Sequence, residues 1–212
     1  MSRERDDPER EEVLCFPAAV LQQYRGQALA FTDATLWARI VGALTVQPRH
    51  RLEPDPAFKQ LIAYGLVRCG ALYLTYLRTR RTAEQRLRAK ASLGVGGHVR
   101  PSATGADARF TPSDLMTHLQ TEVRREIGEE VELGAPLTSP PALRCFVTDD
   151  SDAVGQVHFG TVWECEIAAP VAHLKGEPGL GRLQFLDLPA LQARANEFEN
   201  WSRLLIGFLI DG

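Results

Sequence analysis

The chain of 212 residues has few cysteines, a small net charge and no long apolar segment. Its formal net charge is only −3 at pH 7, so it has no general electrostatic attraction to nucleic acid or to an anionic membrane. No uninterrupted apolar run approaches the ~18 residues of a membrane-spanning helix. Residues 1–8 are charged rather than apolar, unlike a secretion signal. We therefore expect neither nucleic acid nor a membrane as a partner.

The four cysteines, Cys15, Cys69, Cys145 and Cys165, are widely spaced and form no Cys-x-x-Cys motif. Cys145 and Cys165 lie in apolar, strand-like segments, where a free thiol behaves as a small hydrophobic side chain. Reduced thiols and the absence of a secretion signal together predict a cytoplasmic location.

An acidic run at residues 124–131 reads Arg-Arg-Glu-Ile-Gly-Glu-Glu-Val. It places Glu126, Glu129 and Glu130 at i, i+3 and i+4, on one side of a helix. Carboxylate oxygens gathered in this way suit Mg²⁺ or Mn²⁺. The alternative is a solvated helix face, on which Arg125 and Glu129 form an ordinary ion pair contributing about 0.3–0.5 kcal/mol.

The helix that carries this run is predicted to start at a capping Ser113 and to end near Glu130. Its apolar residues recur every four positions and form a buried stripe: Leu115, Leu119, Val123 and Ile127. At 100° per residue, Leu119 lies only about 20° from Glu126 around the axis. The carboxylates therefore border the core, which favours a partly buried metal site over a solvated face.

Upstream of the helix, residues 92–99 read Ser-Leu-Gly-Val-Gly-Gly-His-Val. This pattern is typical of a short strand whose glycines let its backbone come close to another part of the chain or to a ligand. A Gly-Gly-x-Val segment followed by an Arg-Glu-x-x-Glu-Glu helix resembles the signature of the Nudix hydrolase family. Gly97 matches its opening glycine, residues 125–130 match its core, and Leu133 matches its closing apolar position.

The match departs from the signature in two ways. Gly97 and Arg125 are 28 positions apart, twice the family spacing, which implies an insertion of about 14 residues within 102–113, a stretch of loop-like composition. Thr117 stands where the family has its first Glu, and Glu132 stands at the closing glycine. Glu122, one turn before Glu126, is a partial substitute for the first Glu.

A wider resemblance, to the branch described as predicted phosphoesterases of the Nudix type, covers roughly residues 10–210. It implies an α/β fold, a Nudix-type α/β/α sandwich with a mixed β-sheet. We expect a disordered tail over 1–11 and a single domain over 12–212, in which 12–60 form an N-terminal extension packed on the rest.

The resemblance also implies the site residues. Glu126, Glu129 and Glu130 would bind Mg²⁺, with Mn²⁺ as the alternative ion, and the carbonyl of Gly96 would complete the inner shell. Glu126 is the leading candidate to activate water, and Arg125 would orient the carboxylates. Glu177 is a further candidate metal ligand, although an exposed turn residue beside Pro178 is an equally good interpretation.

The function implied is Mg²⁺-dependent hydrolysis of a phosphoanhydride, in a nucleoside diphosphate linked to another group or in a related organic diphosphate. The predicted partner is that small molecule. A second copy of the chain, in a homodimer, is a further candidate partner. One alternative is a catalytically weak Nudix-fold module that binds a nucleotide and regulates. Isomerase chemistry on an isoprenoid diphosphate ranks last, because it calls for a nucleophilic Cys and none lies near the acidic run.

The histidines contribute little to this hypothesis. His98 follows the glycine pair and could approach the phosphates, although metal-assisted hydrolysis needs no imidazole. His158 is expected on the solvated face of its strand, since residues 157–167 alternate in polarity. His50, His118 and His173 show no metal-ligand spacing with one another.

Local patterns predict several other elements. They are a helix over 35–44 capped by Asp33, a hairpin of strands 61–67 and 72–77, strands over 143–147, 157–167 and 183–186, and closing helices over 188–198 and 201–209.

Overall fold

The computed structural model describes residues 11–78, 90–102, 110–174 and 180–211. Its helices are α1 (Ala34–Ala43), α2 (Arg49–Leu52), α3 (Pro112–Glu130), α4 (Leu188–Ala193) and α5 (Asn200–Asp211), and 3-10 turns cover Ala18–Tyr24, Gly155–Val157 and Ala195–Glu197. Ten strands form the main sheet: β1 (Glu12–Pro17), β2 (Ala28–Phe31), β3 (Thr45–Pro48), β4 (Phe58–Cys69), β5 (Leu72–Arg78), β6 (Ala91–Ser92), β7 (Val95–His98), β9 (Ala142–Asp149), β10 (His158–Glu166) and β12 (Leu180–Asp187). A second, small sheet pairs β8 (Val131–Leu133) with β11 (Ala172–Leu174).

Strand β4 is the centre of the main sheet. It pairs in parallel with β10 over nine residues and antiparallel with β1, β5 and β7. The sheet is therefore mixed, as the sequence predicted. The hairpin of β4 and β5 turns at Gly70, which has a positive φ of 56°, a conformation that glycine adopts without steric cost.

Helices cover both faces of β4, which gives the α/β/α arrangement that the sequence predicted. On one face, Leu61 and Ala63 pack with the stripe of α3, whose four members are all buried. On the other face, Ile62 and Tyr64 pack with the apolar side of α5. Because side chains alternate along a strand, each residue of β4 and β7 belongs to one of these two faces.

Helix α3 lies very close to β4. A Cβ atom at Gly65 would lie 2.8 Å from Cδ1 of Ile127, so only glycine allows this approach without a shift of the isoleucine. The approach fixes the height of α3 over the sheet and with it the position of the acidic run.

Residues 12–48 contribute three strands to the main sheet. Strand β1 pairs with both β3 and β4, and β2 pairs with β9. The division of the chain into a tail, an extension and a domain stays a prediction.

Two predicted boundaries were wrong. Helix α3 starts after Thr111 rather than Ser113, because Thr111 and Asp114 form a reciprocal capping box and proline occupies the first helical position. The segment 188–198 is not one helix, since α4 ends at Ala193 and a separate 3-10 turn follows. The helix capped by Asp33 is confirmed, with the Asp33 carboxylate accepting from the N–H groups of Thr35 and Leu36.

All four cysteines are free, and burial raises the pKa of Cys15, Cys145 and Cys165 to about 12. These three thiols are buried and pack as hydrophobic side chains. Among the described helices, none is long and apolar enough to cross a membrane.

Candidate active site

The glycine pair and the acidic helix, far apart in sequence, meet in the structure. Gly97 on β7 pairs with Ala63 on β4 and faces α3. A Cβ atom on Gly97 would lie 2.5 Å from the Cδ atom and from both carboxylate oxygens of Glu126. The carboxylate therefore packs directly on the glycine backbone, in a space that no other residue type leaves open.

Arg125 binds three carboxylates of α3. Its Nη2 atom donates to Oε1 of Glu126 at 2.5 Å and to Oε2 of Glu122 at 2.8 Å, and Nη1 donates to Oε2 of Glu129 at 3.0 Å. Nη2 also lies 3.3 Å from the carbonyl oxygen of His98, the residue after Gly97. One guanidinium thus ties the acidic helix to β7 by charge-assisted hydrogen bonds.

These contacts determine the pKa of Arg125. Burial lowers the pKa of Arg125, but its hydrogen bond to Glu122 and the negative charges of Glu126, Glu122 and Glu129 outweigh burial. The net pKa lies above the ordinary value, so the guanidinium stays charged at every physiological pH.

Glu122, and not Thr117, is in contact with Arg125. Its side chain is buried and accepts hydrogen bonds from Arg125 and from the backbone N–H of Arg100 at 3.2 Å. Thr117 is exposed, and its hydroxyl donates to the carbonyl of Ser113 one turn earlier in the helix. Glu122 therefore has the contacts of an orienting carboxylate, one turn before Glu126.

The pKa of Glu126 is raised. The largest cause is burial, which penalises the charged form; Arg125 opposes this effect and nearby Glu129 adds to it. A partly desolvated carboxylate with acidic neighbours is stabilised in its charged form by an added cation.

The donor set fits a hard divalent ion. Glu122 and Glu126 are buried, Glu130 is half-buried and Glu129 is exposed, so carboxylate oxygens span the distance from the core to solvent. Oxygen donors of this kind are those that Mg²⁺ and Mn²⁺ prefer. The packing of Glu126 against Gly97 fixes the position of the innermost of these carboxylates.

Two further residues, Gly96 and Glu177, were predicted as metal ligands. Gly96 lies beside Gly97 on β7 and pairs with Tyr64, and a Cβ atom there would lie 2.5 Å from the carbonyl oxygen of Ala63. Glu177 lies outside the described residues.

His158 corrects the sequence interpretation. It was expected to be solvated, but it is only 8% exposed, because β10 lies inside the sheet and is covered on both faces. Its Nε2 atom lies 3.0 Å from Nε2 of His98. No sequence signal indicated this pair, since the two residues are 60 positions apart and no motif joins them.

A surface groove of about 700 Å³ lies along α3, between the helix and the segment 131–140. Its helix residues are Arg124, Ile127 and Gly128, and Gly128 points about 160° away from Glu126 around the axis. The groove is therefore on the flank of α3 away from the carboxylates, and we assign it no part in the site.

Comparisons with known proteins bear on the fold. No protein-family model matches the chain. Protein YmaB of Bacillus subtilis strain 168 is 28% identical over 207 residues, which cover 97% of this chain and 94% of YmaB.

Two solved structures resemble the chain at the level of the fold. The crystal structure of Tm1382, described as a candidate Nudix hydrolase, matches with a TM-score of 0.71 and 21% identity over 95% of this chain and 99% of that one. The MutT protein from Methanosarcina mazei Go1 matches with a TM-score of 0.50 and 16% identity over 72% of this chain and 94% of that one. The resemblance read from the glycine pair and the acidic helix is thus confirmed in three dimensions: the chain has the Nudix hydrolase fold.

Proposed function

We propose that the protein is a Nudix hydrolase that cleaves a phosphoanhydride bond with the help of Mg²⁺. Its substrate would be a nucleoside diphosphate linked to another group, or a related organic diphosphate. The observation that carries the proposal is the Glu126 carboxylate, seated on Gly97 and held by Arg125 among further carboxylates of α3.

Glu126, Glu129 and Glu130 would hold the ion, together with the carbonyl of Gly96. A bound Mg²⁺ would neutralise phosphate charge and lower the pKa of bound water. Glu177 stays a candidate ligand on the strength of its sequence position alone. The preference for Mg²⁺ over Mn²⁺ and the homodimer also stay predictions.

Glu126 is the proposed general base. Oε1 of Glu126 is engaged by Arg125, so the proton from the attacking water would pass to Oε2. Its packing against Gly97 and its bond to Arg125 fix the carboxylate in one position, as a general base requires. Arg125 is a positioning residue, because it holds Glu126, Glu122 and Glu129 in one arrangement and to the carbonyl of β7.

The isomerase alternative loses support from the cysteines. It requires a reactive thiolate near the carboxylates, whereas burial raises the pKa of Cys15, Cys145 and Cys165 to about 12. The fourth thiol, Cys69, lies at the hairpin end of β4, six residues beyond Ala63, the register partner of Gly97. The regulatory alternative shares the fold and the carboxylates, so activity measurements must separate it from the hydrolase.

A panel of nucleoside diphosphate derivatives tests the proposal. We expect the wild-type protein to cleave at least one member in Mg²⁺ and to lose activity when EDTA is added. Glu129→Gln and Glu130→Gln should each lower kcat by at least about 10²-fold, because each removes a charged ligand.

Glu132→Gln is the matched control. It removes one negative charge from an exposed residue of β8 just after α3 and should leave kcat within about twofold. Tight binding of one panel member without turnover would favour the regulatory module. Equal activity of the wild type and both ligand variants would refute the metal assignment.

A further inference from the structure

A second polar cluster lies near β7, and the acidic site does not use it. His98 Nε2 and His158 Nε2 are 3.0 Å apart, and Oε1 of Glu53, just after α2, is 4.0 Å from His98 Nε2. One donor atom from each of the three side chains lies within 4.8 Å of the other two. In a tetrahedral Zn²⁺ site with bonds of about 2.0–2.1 Å, donor atoms are about 3.3 Å apart, so small side-chain rotations would suffice.

The cluster is on the opposite face of the sheet from the acidic helix. Gly97 faces α3, and side chains alternate along β7, so His98 faces away from α3. His98 is the register partner of Ile62, which packs on the α5 side of β4. His158 shares this face, because its neighbour at i+4, Val162, packs in the same cluster. The two sets of ligands are therefore separated by the sheet.

The chemical state of His158 suits a metal ligand. Its Nδ1 atom lies 2.7 Å from the carbonyl oxygen of Val154, which can only accept, so Nδ1 carries the proton and donates. Nε2 of His158 then presents its lone pair toward His98. A backbone carbonyl that fixes the tautomer of a ligating imidazole is a recurrent arrangement in metal sites.

Burial favours the neutral form of both imidazoles. Burial is the largest cause and lowers the pKa of His98 well below its ordinary value, and the positive charge of Arg49 adds to this. Burial also lowers the pKa of His158, against the opposing effect of its bond to Val154. Neutral imidazole is the form that binds metals.

Arg49, Lys59 and Gln60 also lie near the cluster, and the positive charge of Lys59 acts on His158. Arg49 Nε donates to Oε1 of Glu53 at 3.0 Å, but a carboxylate oxygen has two lone pairs and can serve a metal as well. Gln60, the register partner of His158, is fully buried, and neither its Oε1 nor its Nε2 has a hydrogen-bond partner among the described residues. A buried amide left in this state is destabilising, so an additional polar group beside it would be stabilising.

We propose that Glu53, His98 and His158 form a second metal site, with a donor set of two imidazole nitrogens and one carboxylate oxygen that suits Zn²⁺. The bound ion would join the end of α2 to β7 and β10. The carbonyl of His98 accepts a hydrogen bond from Arg125, and Gly97 on the same strand packs against Glu126. An ion that fixed β7 would therefore also fix the position of Glu126. The donor set leaves a fourth position for water.

Zinc titration in excess Mg²⁺ tests the site, since Mg²⁺ fills oxygen-ligand sites and competes poorly for imidazole. We expect the wild type to bind one equivalent of Zn²⁺ by calorimetry, and Co²⁺ to give the visible absorption of a tetrahedral complex. Zn²⁺ should also raise the Tm of the wild type. His98→Gln and His158→Gln should each weaken Zn²⁺ binding at least about tenfold.

The controls separate loss of ligands from loss of structure. His173→Gln changes an exposed histidine on β11 and should bind Zn²⁺ as the wild type does. Glu53→Gln changes an exposed ligand, so it should fold normally, as circular dichroism would show, and still lose at least about tenfold in affinity. Absence of Zn²⁺ binding to the wild type in excess Mg²⁺, or unchanged affinity in the Glu53→Gln variant, would overturn the proposal and leave the histidines as a hydrogen-bonded pair.

Discussion

Glu126→Gln is expected to lower kcat about 10²–10⁴-fold on any diphosphate that the wild type cleaves. The substitution keeps the shape of the side chain and still lets Arg125 donate to its oxygen. It removes both the basic carboxylate and one ligand charge from a position that is only 8% exposed. The measurement is steady-state cleavage in saturating Mg²⁺, followed by release of the nucleoside monophosphate or phosphate.

The matched control for this experiment is again Glu132→Gln, which removes the same charge outside the site. Because Glu126 is the proposed base, replacing its carboxylate should change the acid limb of the pH–rate profile as well as its height. Activity of Glu126→Gln within about threefold of the wild type, with the same pH profile, would exclude Glu126 as the base.

Gly97→Ala has the second large expected effect. The new Cβ atom would lie 2.5 Å from the Glu126 carboxylate, well inside contact distance, so the carboxylate or β7 must move. A displacement near 1 Å at a reacting group costs about 10²-fold in rate, and the overpacking costs about 1–3 kcal/mol of stability. We expect kcat to fall about 10²-fold. Urea denaturation should show a protein that still folds, with a lower free energy of unfolding than the wild type.

Gly128→Ala is the control for the glycine substitution. It adds the same methyl group on α3 where no atom lies within 4 Å, and alanine is favoured over glycine inside a helix by about 1 kcal/mol. It should therefore keep full activity and gain stability. If Gly97→Ala were as active as Gly128→Ala, the packing of Glu126 on Gly97 would have no catalytic role.

Helix α3 was predictable because local signals coincide there. A capping residue type and a four-residue apolar period mark the same segment, and the resulting stripe is buried against β4 as expected. The start was misplaced by two residues, because Thr111 and Ser113 are both capping residue types and only Thr111 has Asp114 three residues later.

Local sequence patterns alone could not predict where the carboxylates lie relative to Gly97. The resemblance to a known signature placed Gly97 beside the helix even though the spacing is doubled, and the contact of Gly97 with Glu126 bears out that placement. The role of Glu122 was only a suggestion from sequence, because burial of a glutamate one turn away depends on where Arg100 and β7 lie.

The histidine pair could not be predicted. His98 and His158 meet because β7 and β10 flank β4 from opposite sides, one antiparallel and one parallel, and both registers must be known to place them together. The alternation of polarity along β10 suggested a half-exposed strand. A strand in the middle of a sheet covered by helices on both faces buries its polar residues too, and His158 is the result.

The central claim is that the carboxylates of α3 bind a divalent ion where diphosphate is cleaved. Binding of Mn²⁺, followed by electron paramagnetic resonance and displaced by Mg²⁺, measures it directly. The account predicts one Mg²⁺-displaceable Mn²⁺ in the wild type and in Glu132→Gln, and at least about tenfold weaker binding in Glu126→Gln and Glu130→Gln. Equal Mn²⁺ affinity in all four proteins, or no displaceable Mn²⁺ in the wild type, would contradict it.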